Sequence, residues 1–367
     1  MTALLSSLEP LVQTLRATGY TVVGPRLRDG AIVLDELGSA EDLPHGWGVR
    51  TGPGTYRTQR RPDQAAFAHT TGPQGWKRFL HPPKEPLATA RRDANGGLRF
   101  DLPDDPPIRY AFLGVRPCDL RAIAVQDRVL GVSQAYAARR AATLLVAVNC
   151  TEPSEVCFCV SAGGGPEAAA SDAPYDLVLT ELVDSGAASY VATAGSEAGR
   201  SILDALPQRA ATVAERDRAQ GAVRDAYGRM GRALPAVDLR SLLAATLDSP
   251  RWDDVAARCL TCANCTLACP TCFCTSVADT SDLTGDHAQR WQHWASCFEA
   301  DFSYMHGGPI RASARSRYRQ WLTHKLGTWH DQFGESGCVG CGRCIAWCPA
   351  GIDITEEADA LAKEVAP

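Results

Sequence analysis

One spacing of cysteines occurs twice in this 367-residue chain, and few folds accept it. Cys259-x2-Cys262-x2-Cys265-x3-Cys269-Pro270 recurs as Cys338-x2-Cys341-x2-Cys344-x3-Cys348-Pro349. Three closely spaced thiolates wrap three irons of a cubane, and in two-cluster ferredoxins the fourth cysteine, ahead of a turn-forming proline, reaches the other cluster. The pattern therefore assigns Cys259, Cys262, Cys265 and Cys348 to one [4Fe–4S] cluster, and Cys338, Cys341, Cys344 and Cys269 to a second. A zinc reading would need two CxxC pairs per site, with no use for a third cysteine at this spacing or for the Cys-Pro ending.

The fifteen cysteines gain meaning from their compartment. Met1 to Leu15 lacks the basic start and apolar core of a signal peptide, and no run of about 18 apolar residues is present. The chain is thus expected in the cytoplasm, where thiols stay reduced and metal ligation is a better prior than disulfides. A net charge of −5 gives no reason to expect a nucleic-acid or membrane partner.

Along the chain, Leu4, Leu5, Leu8, Leu11, Val12 and Leu15 recur at helical spacing, and Gly19 stops the helix. Tyr20–Val23 and Ala31–Leu34 flank Asp29-Gly30 as a hairpin. Residues 52–107, rich in glycine and proline, predict short strands and loops, with Trp76, Lys77 and Arg78 as surface and packing residues. Arg109–Val115 reads as a buried strand, Pro117–Val129 as a helix and Thr143–Val148 as a second buried strand, which makes a βαβ unit. Asp176–Leu182 is a third apolar strand. The loop Gly163-Gly164-Gly165-Pro166 lacks the arrangement of a phosphate cradle. Helices follow from Ser201 to Arg258, broken at Pro235 and Pro250.

The βαβ unit brings further cysteines together. Parallel pairing places Cys118, after the first strand, and Cys150, after the second, at one sheet edge. The helix start at Pro117 would favour a thiolate there. With Cys157 and Cys159 from the next loop, these four are expected to hold a third cluster. The Cys-x-Cys spacing also leaves open a zinc site, a smaller cluster or four buried thiols. Cys272, Cys274 and Cys297 complete no motif; they read as buried free thiols in preference to an unusual cluster serving a reductase.

Between the two motifs, Trp291, Trp294, Phe298, Phe302 and Met305 share one helical face, and Tyr318, Leu322, Leu326, Trp329 and Phe333 another. These aromatics are expected in the core, and the basic run Arg311, Arg315, Arg317, Arg319 and Lys325 on a solvated helix face. The fold class expected is α+β. An α/β domain spans 1–200, a helical connection 201–250 and an all-helical ferredoxin-like dicluster domain 251–367. No dinucleotide fingerprint and no hydrolytic nucleophile motif is present, so no catalytic residue is assigned, and no flavin or NAD(P) is expected on this chain. A redox sensor would need an output surface, for which no helix-turn-helix or basic domain speaks.

Several segments resemble the iron–sulfur β subunit of cytoplasmic sulfhydrogenases, the NAD(P)-linked [NiFe] hydrogenases, and the related A subunit of anaerobic sulfite reductase. They are Gly114–Ile123, Asn149–Pro153 with Cys157-Phe-Cys159, Asp176–Leu182, Cys269–Cys274, Asp301–Gly308, Ser316–Lys325 and Gly337–Cys344. The resemblance implies a relay subunit passing electrons between an FAD- and NAD(P)-binding diaphorase-type subunit and a catalytic partner. That partner would be the small and large hydrogenase subunits or a sirohaem sulfite reductase subunit. The hydrogenase association is the expected one, as the commoner among relatives of this kind.

Overall fold

Strands that read as unbroken apolar runs must be covered on both faces, and that requirement organises the N-terminal half. The computed structural model describes residues 2–70, 72–104, 106–169 and 172–365. In order come β1 (Thr2–Leu5), α1 (Glu9–Ala17), β2 (Thr21–Arg28), β3 (Ala31–Glu36), β4 (Trp47–Gly52), β5 (Thr55–Arg60) and α2 (Lys77–Leu80). Then follow β6 (Lys84–Arg92), β7 (Leu98–Asp101), β8 (Tyr110–Val115), α3 (Pro117–Leu130), α4 (Gln134–Ala141) and β9 (Leu144–Val148). β10 (Leu177–Asp184), β11 (Ala187–Ala194), α5 (Glu197–Asp204) and β12 (Arg209–Ala210) complete this half.

Eight strands form one sheet in the order β12-β1-β11-β10-β9-β8-β2-β3, with β2, β8, β9 and β10 parallel to one another. Side chains alternate across it. Ala111, Leu113, Leu144, Val146 and Val148 join Leu11, Val12 and Leu15 of α1 in one core. Phe112, Leu145 and Ala147 join Leu120 and Ile123 of α3 and Trp76 in another. The expected βαβ unit is β8-α3-β9, and the expected hairpin is β2-β3, turning through Asp29 and Gly30 at φ of 51° and 73°. The first helix is shorter than its periodicity predicts. Leu4 and Leu5 belong to β1, where antiparallel pairing with β11 satisfies backbone groups that a helix end would leave open.

The second half contains α6 (Val213–Tyr227), α7 (Leu239–Ala245), α8 (Arg251–Arg258), α9 (Asn264–Leu267), β13 (Thr275–Ser281) and β14 (His287–Trp294). It continues with α10 (Ala314–Thr323), a π-helical turn at His324–Thr328, α11 (Trp329–Phe333), α12 (Arg343–Ala346) and α13 (Ile354–Val365). The all-helical expectation for 251–367 is corrected by β13 and β14. They join β6 and β7 in a four-stranded antiparallel sheet ordered β13-β14-β6-β7. Trp291 and Trp294 are therefore strand residues, and Phe302 and Met305 are exposed, while Phe298 is buried. The second aromatic face is helical as expected, with Tyr318, Leu322, Leu326 and Trp329 buried. It packs with Trp252, Phe298 and Leu361 into a third core, against which Cys259, Cys265, Cys297, Cys338, Cys344 and Cys348 lie. Among the described residues no helix is long and apolar enough to cross a membrane.

Candidate metal centres

The first motif is a loop wound by left-handed residues. Cys259 ends α8, Thr261 and Ala263 take φ of 50° and 65°, and the short α9 carries Cys265. This winding turns Cys259, Cys262 and Cys265 toward one cavity, which Cys348 of the second motif also lines, closed by Phe298, Tyr318 and Trp321. Backbone N–H groups already point at its sulfurs: Thr261 N–H donates to Cys259 Sγ at 3.4 Å and Ile352 N–H to Cys348 Sγ at 3.3 Å. Such bonds favour thiolate ligands and a reduced cluster. Cys262 is exposed, as are Leu260 and Leu267.

Cys338, Cys341 and Cys344 gather with Cys269 of the first motif. Burial pushes Cys338 up to about 12 and Cys341 up to about 11, against the Gly340 N–H and the Arg343 guanidinium, which favour their thiolates. Cys338 and Cys341 keep their protons until a metal displaces them, whereas a hydrogen bond with Cys272, and then the Lys325 ammonium, hold Cys269 well below the ordinary thiol value against its burial. Beside them stands Lys325, carried on the π-helical turn and 3% exposed. Its ammonium donates to Thr271 Oγ1 at 2.7 Å and to the Gly337 carbonyl at 3.3 Å, and Thr271 Oγ1 lies 3.2 Å from Cys269 Sγ. Burial works to strip its proton, but the sulfurs of Cys269, Cys272 and Cys338 outweigh burial and hold its pKa above the usual lysine value. The expectation of a solvated face thus fails for this residue, because the π turn swings it inward.

The sheet edge delivers the third set. A bulge at Gly114, φ +97°, ends β8, and a Cβ there would meet the Phe67 ring at 2.9 Å. Beyond it Cys118 lines a pocket with Cys150, Cys157 and Cys159. Three buried polar atoms on its wall, His69 Nε2, Thr70 Oγ1 and Arg116 Nη1, have no hydrogen-bond partner among the described residues. A buried guanidinium nitrogen and four thiols fit an anionic, sulfur-rich group. The helix start does not hold Cys118 as a thiolate, as the sequence suggested. Burial, and then the charges of Asp119 and Cys341, raise its pKa well above the ordinary thiol value.

The three sets adjoin. Cys344 lines the first cavity and faces Cys265, while Cys341 and Gly340 line the third pocket. The Phe158 N–H donates to the Gly340 carbonyl at 2.9 Å. Gly340 has φ +67°, and a Cβ there would stand 2.5 Å from Cys159 Cα. Arg343 reaches across to Asp119 at 2.8 Å, both fully buried. Among the described residues no three His, Cys, Asp or Glu side chains converge closely enough for a single metal ion. A cubane, in which each thiolate takes its own iron, spreads its ligands wider.

Lys77 and Lys325, which the sequence suggested for the surface, are buried beside these centres, as are Arg116 and the Asp119–Arg343 pair, to which sequence reasoning assigned no role of their own. Each is an ordinary surface residue type, and only the fold turns it inward.

Residues 258–352 match the 4Fe-4S dicluster domain family. Over 261 residues the chain is 30% identical to sulfhydrogenase 2 subunit beta of Pyrococcus furiosus, covering 68% of this chain and 73% of that protein. No solved structure matches.

Proposed function

The chain belongs to the family of iron–sulfur β subunits of sulfhydrogenases, and from that premise we propose that it relays single electrons between a flavin- and NAD(P)-binding subunit and a catalytic [NiFe] hydrogenase module. One observation carries the reading: three sets of cysteines adjoin one after another. The set of Cys259, Cys262, Cys265 and Cys348 meets that of Cys338, Cys341, Cys344 and Cys269 through Cys265 and Cys344. The latter meets Cys118, Cys150, Cys157 and Cys159 through Cys341 and Gly340. Clusters bound there supply one-electron chemistry over about −700 to +450 mV, which spans hydrogen and NAD(P)H couples.

The chain's own residues do the rest. Buried aromatics wall the inner side of the first centre, Arg116 and Lys325 bring positive charge to the third and second, and backbone N–H groups favour thiolate sulfur. At the solvent end, exposed Cys262, Leu260 and Leu267 present an apolar surface for a partner subunit.

The test is reduction of the isolated, anaerobically prepared chain. Dithionite reduces it and NAD(P)H alone does not, because a hydride needs a flavin to be split into single electrons. Tight FAD binding by the chain alone overturns this reading. In the purified complex, nickel supports the hydrogenase assignment, and sirohaem transfers the same relay to a sulfite reductase.

A further inference from the structure

Three cysteines remain outside these sets, and all three stand around Lys325, with Cys272 also hydrogen-bonded to Cys269 of the second set. Cys272 and Cys274 follow closely on Cys269, and Cys297 follows β14. In the β13–β14 hairpin Thr275 is registered against Trp294, and the Ala295 N–H donates to the Cys274 carbonyl at 2.9 Å. This register carries Cys297 alongside Cys274, and the two thiols face each other.

Two buried ammoniums stand over the same thiols. Lys77 is 6% and Lys325 3% exposed. The sulfurs that face Lys77 are those of Cys272, Cys269 and Cys274, and both lysines act on Cys272 and Cys274. Lys77 Nζ sits 3.8 Å from the Trp294 ring centroid, so β14 also fixes its place. Arg311 faces Cys297, as Lys325 does. Positive charge this far from water is costly without negative charge to meet it, and the Cys269 sulfur of the second set meets only part of it.

The sequence adds a recurrence. Cys272-Phe273-Cys274 repeats the triplet Cys157-Phe158-Cys159, which supplies two of the four thiols of the third centre. In both copies the phenylalanine is anchored: Phe158 is fully buried, and Phe273 meets Trp329 edge-on with ring centroids 5.6 Å apart. The second triplet has one further cysteine in reach where the first has two.

We propose that Cys272, Cys274 and Cys297 hold an additional iron–sulfur cluster through three thiolates, leaving one iron without a cysteine, with Lys77 and Lys325 as its counter-charge. The fourth iron is then free for water, hydroxide or a small thiol. This site does not depend on which subunits the chain serves.

A cubane lacking one cysteine has a chemical signature. Ferricyanide takes one electron from [4Fe–4S]2+, becoming ferrocyanide, and the oxidised cluster sheds Fe2+ to leave [3Fe–4S]+, which is visible by EPR. The anaerobic full-length chain, treated with ferricyanide in limiting amount, is expected to give that signal, and ferrous iron with dithiothreitol is expected to erase it. Cys297→Ser and Cys274→Ser should each lose the signal and about four irons, while the dithionite-reduced signals of the remaining clusters persist. Those retained signals show that the variants fold, and they keep this test separate from that of the relay. Absence of the oxidised signal from the full-length chain, its survival in both variants, or zinc lost in place of iron overturns the proposal.

Discussion

Asp119 and Arg343 stand 224 residues apart in the chain, yet their side chains pair at 2.8 and 3.2 Å with almost no contact with water. The pair clasps α3, which carries Cys118, to α12, which carries Cys344. Removing one partner of a buried ion pair strands the other, at a cost of about 3–5 kcal/mol. Asp119→Ala is therefore expected to lower the denaturant midpoint of the anaerobic protein markedly, and Asp119→Ala with Arg343→Met to lower it less. A single variant that unfolds at the wild-type midpoint would mean that the clasp carries no stability.

The two motifs are expected to exchange their last cysteines. Cys348→Ser should then erase the same EPR signal as Cys262→Ser, and Cys269→Ser the same as Cys341→Ser, each with a loss of about four irons. The observation behind this is that Cys348 lines the cavity of Cys259, Cys262 and Cys265. The opposite pairing of signals would refute the exchange.

The pocket of Cys118, Cys150, Cys157 and Cys159 should hold a cluster of its own. Cys118→Ala with Cys150→Ala is expected to remove about four irons per chain and leave the other reduced signals in place. Iron content unchanged by the double substitution would sink the third centre.

Lys325 is expected to set the potential of its neighbour. A unit charge about 6 Å away at an effective dielectric near 20 is worth about 3 kcal/mol, on the order of 100 mV for one electron. Lys325→Met should shift the cluster of Cys269, Cys338, Cys341 and Cys344 to a more negative potential by that order in an EPR-monitored titration. Lys325→Arg, which keeps the charge, should restore most of it, and equal potentials in all three proteins would dismiss the effect.

Acid should weaken the fold through His81. Burial first, and then the Lys77 ammonium, depress its pKa from 6.5 to about 4, with Arg139 adding to the effect and Glu85 opposing it. The unfolded chain takes up this proton near 6.5 and the folded chain only near 4, so the stability tied to neutral His81 is complete above pH 6.5. It is lost progressively as pH falls toward 4. Over that window the denaturant midpoint of His81→Gln should fall less steeply than that of the wild type. Parallel slopes would remove His81 from the account.

Legibility in the sequence followed locality. β8, α3 and β9 could be read directly, because Ala111–Val115 and Leu144–Val148 are continuous apolar runs and Pro117 marks the helix start. The cysteine motifs were legible for the same reason, since each packs three ligands into seven residues. β14 was not, because Trp291, Trp294 and Phe298 fall at helical spacing, and this masked a strand that pairs with β13 beside it and with β6 some 200 residues earlier. Lys77 was equally opaque. Nothing near it in sequence hints that the fold will set it against cysteines 195 and 197 positions downstream, as it does with Cys272 and Cys274.

The backbone contact at Gly340 makes the two halves specific to each other. A side chain at that position would collide with the main chain of Cys159, so the second motif fits this α/β half only while it keeps a bare glycine there. A ferredoxin segment borrowed from elsewhere, with any larger residue at that place, would bind its own iron and still fail to seat. The two halves are therefore matched to each other at this contact, and the cluster-binding loop seats only through a residue that has no side chain.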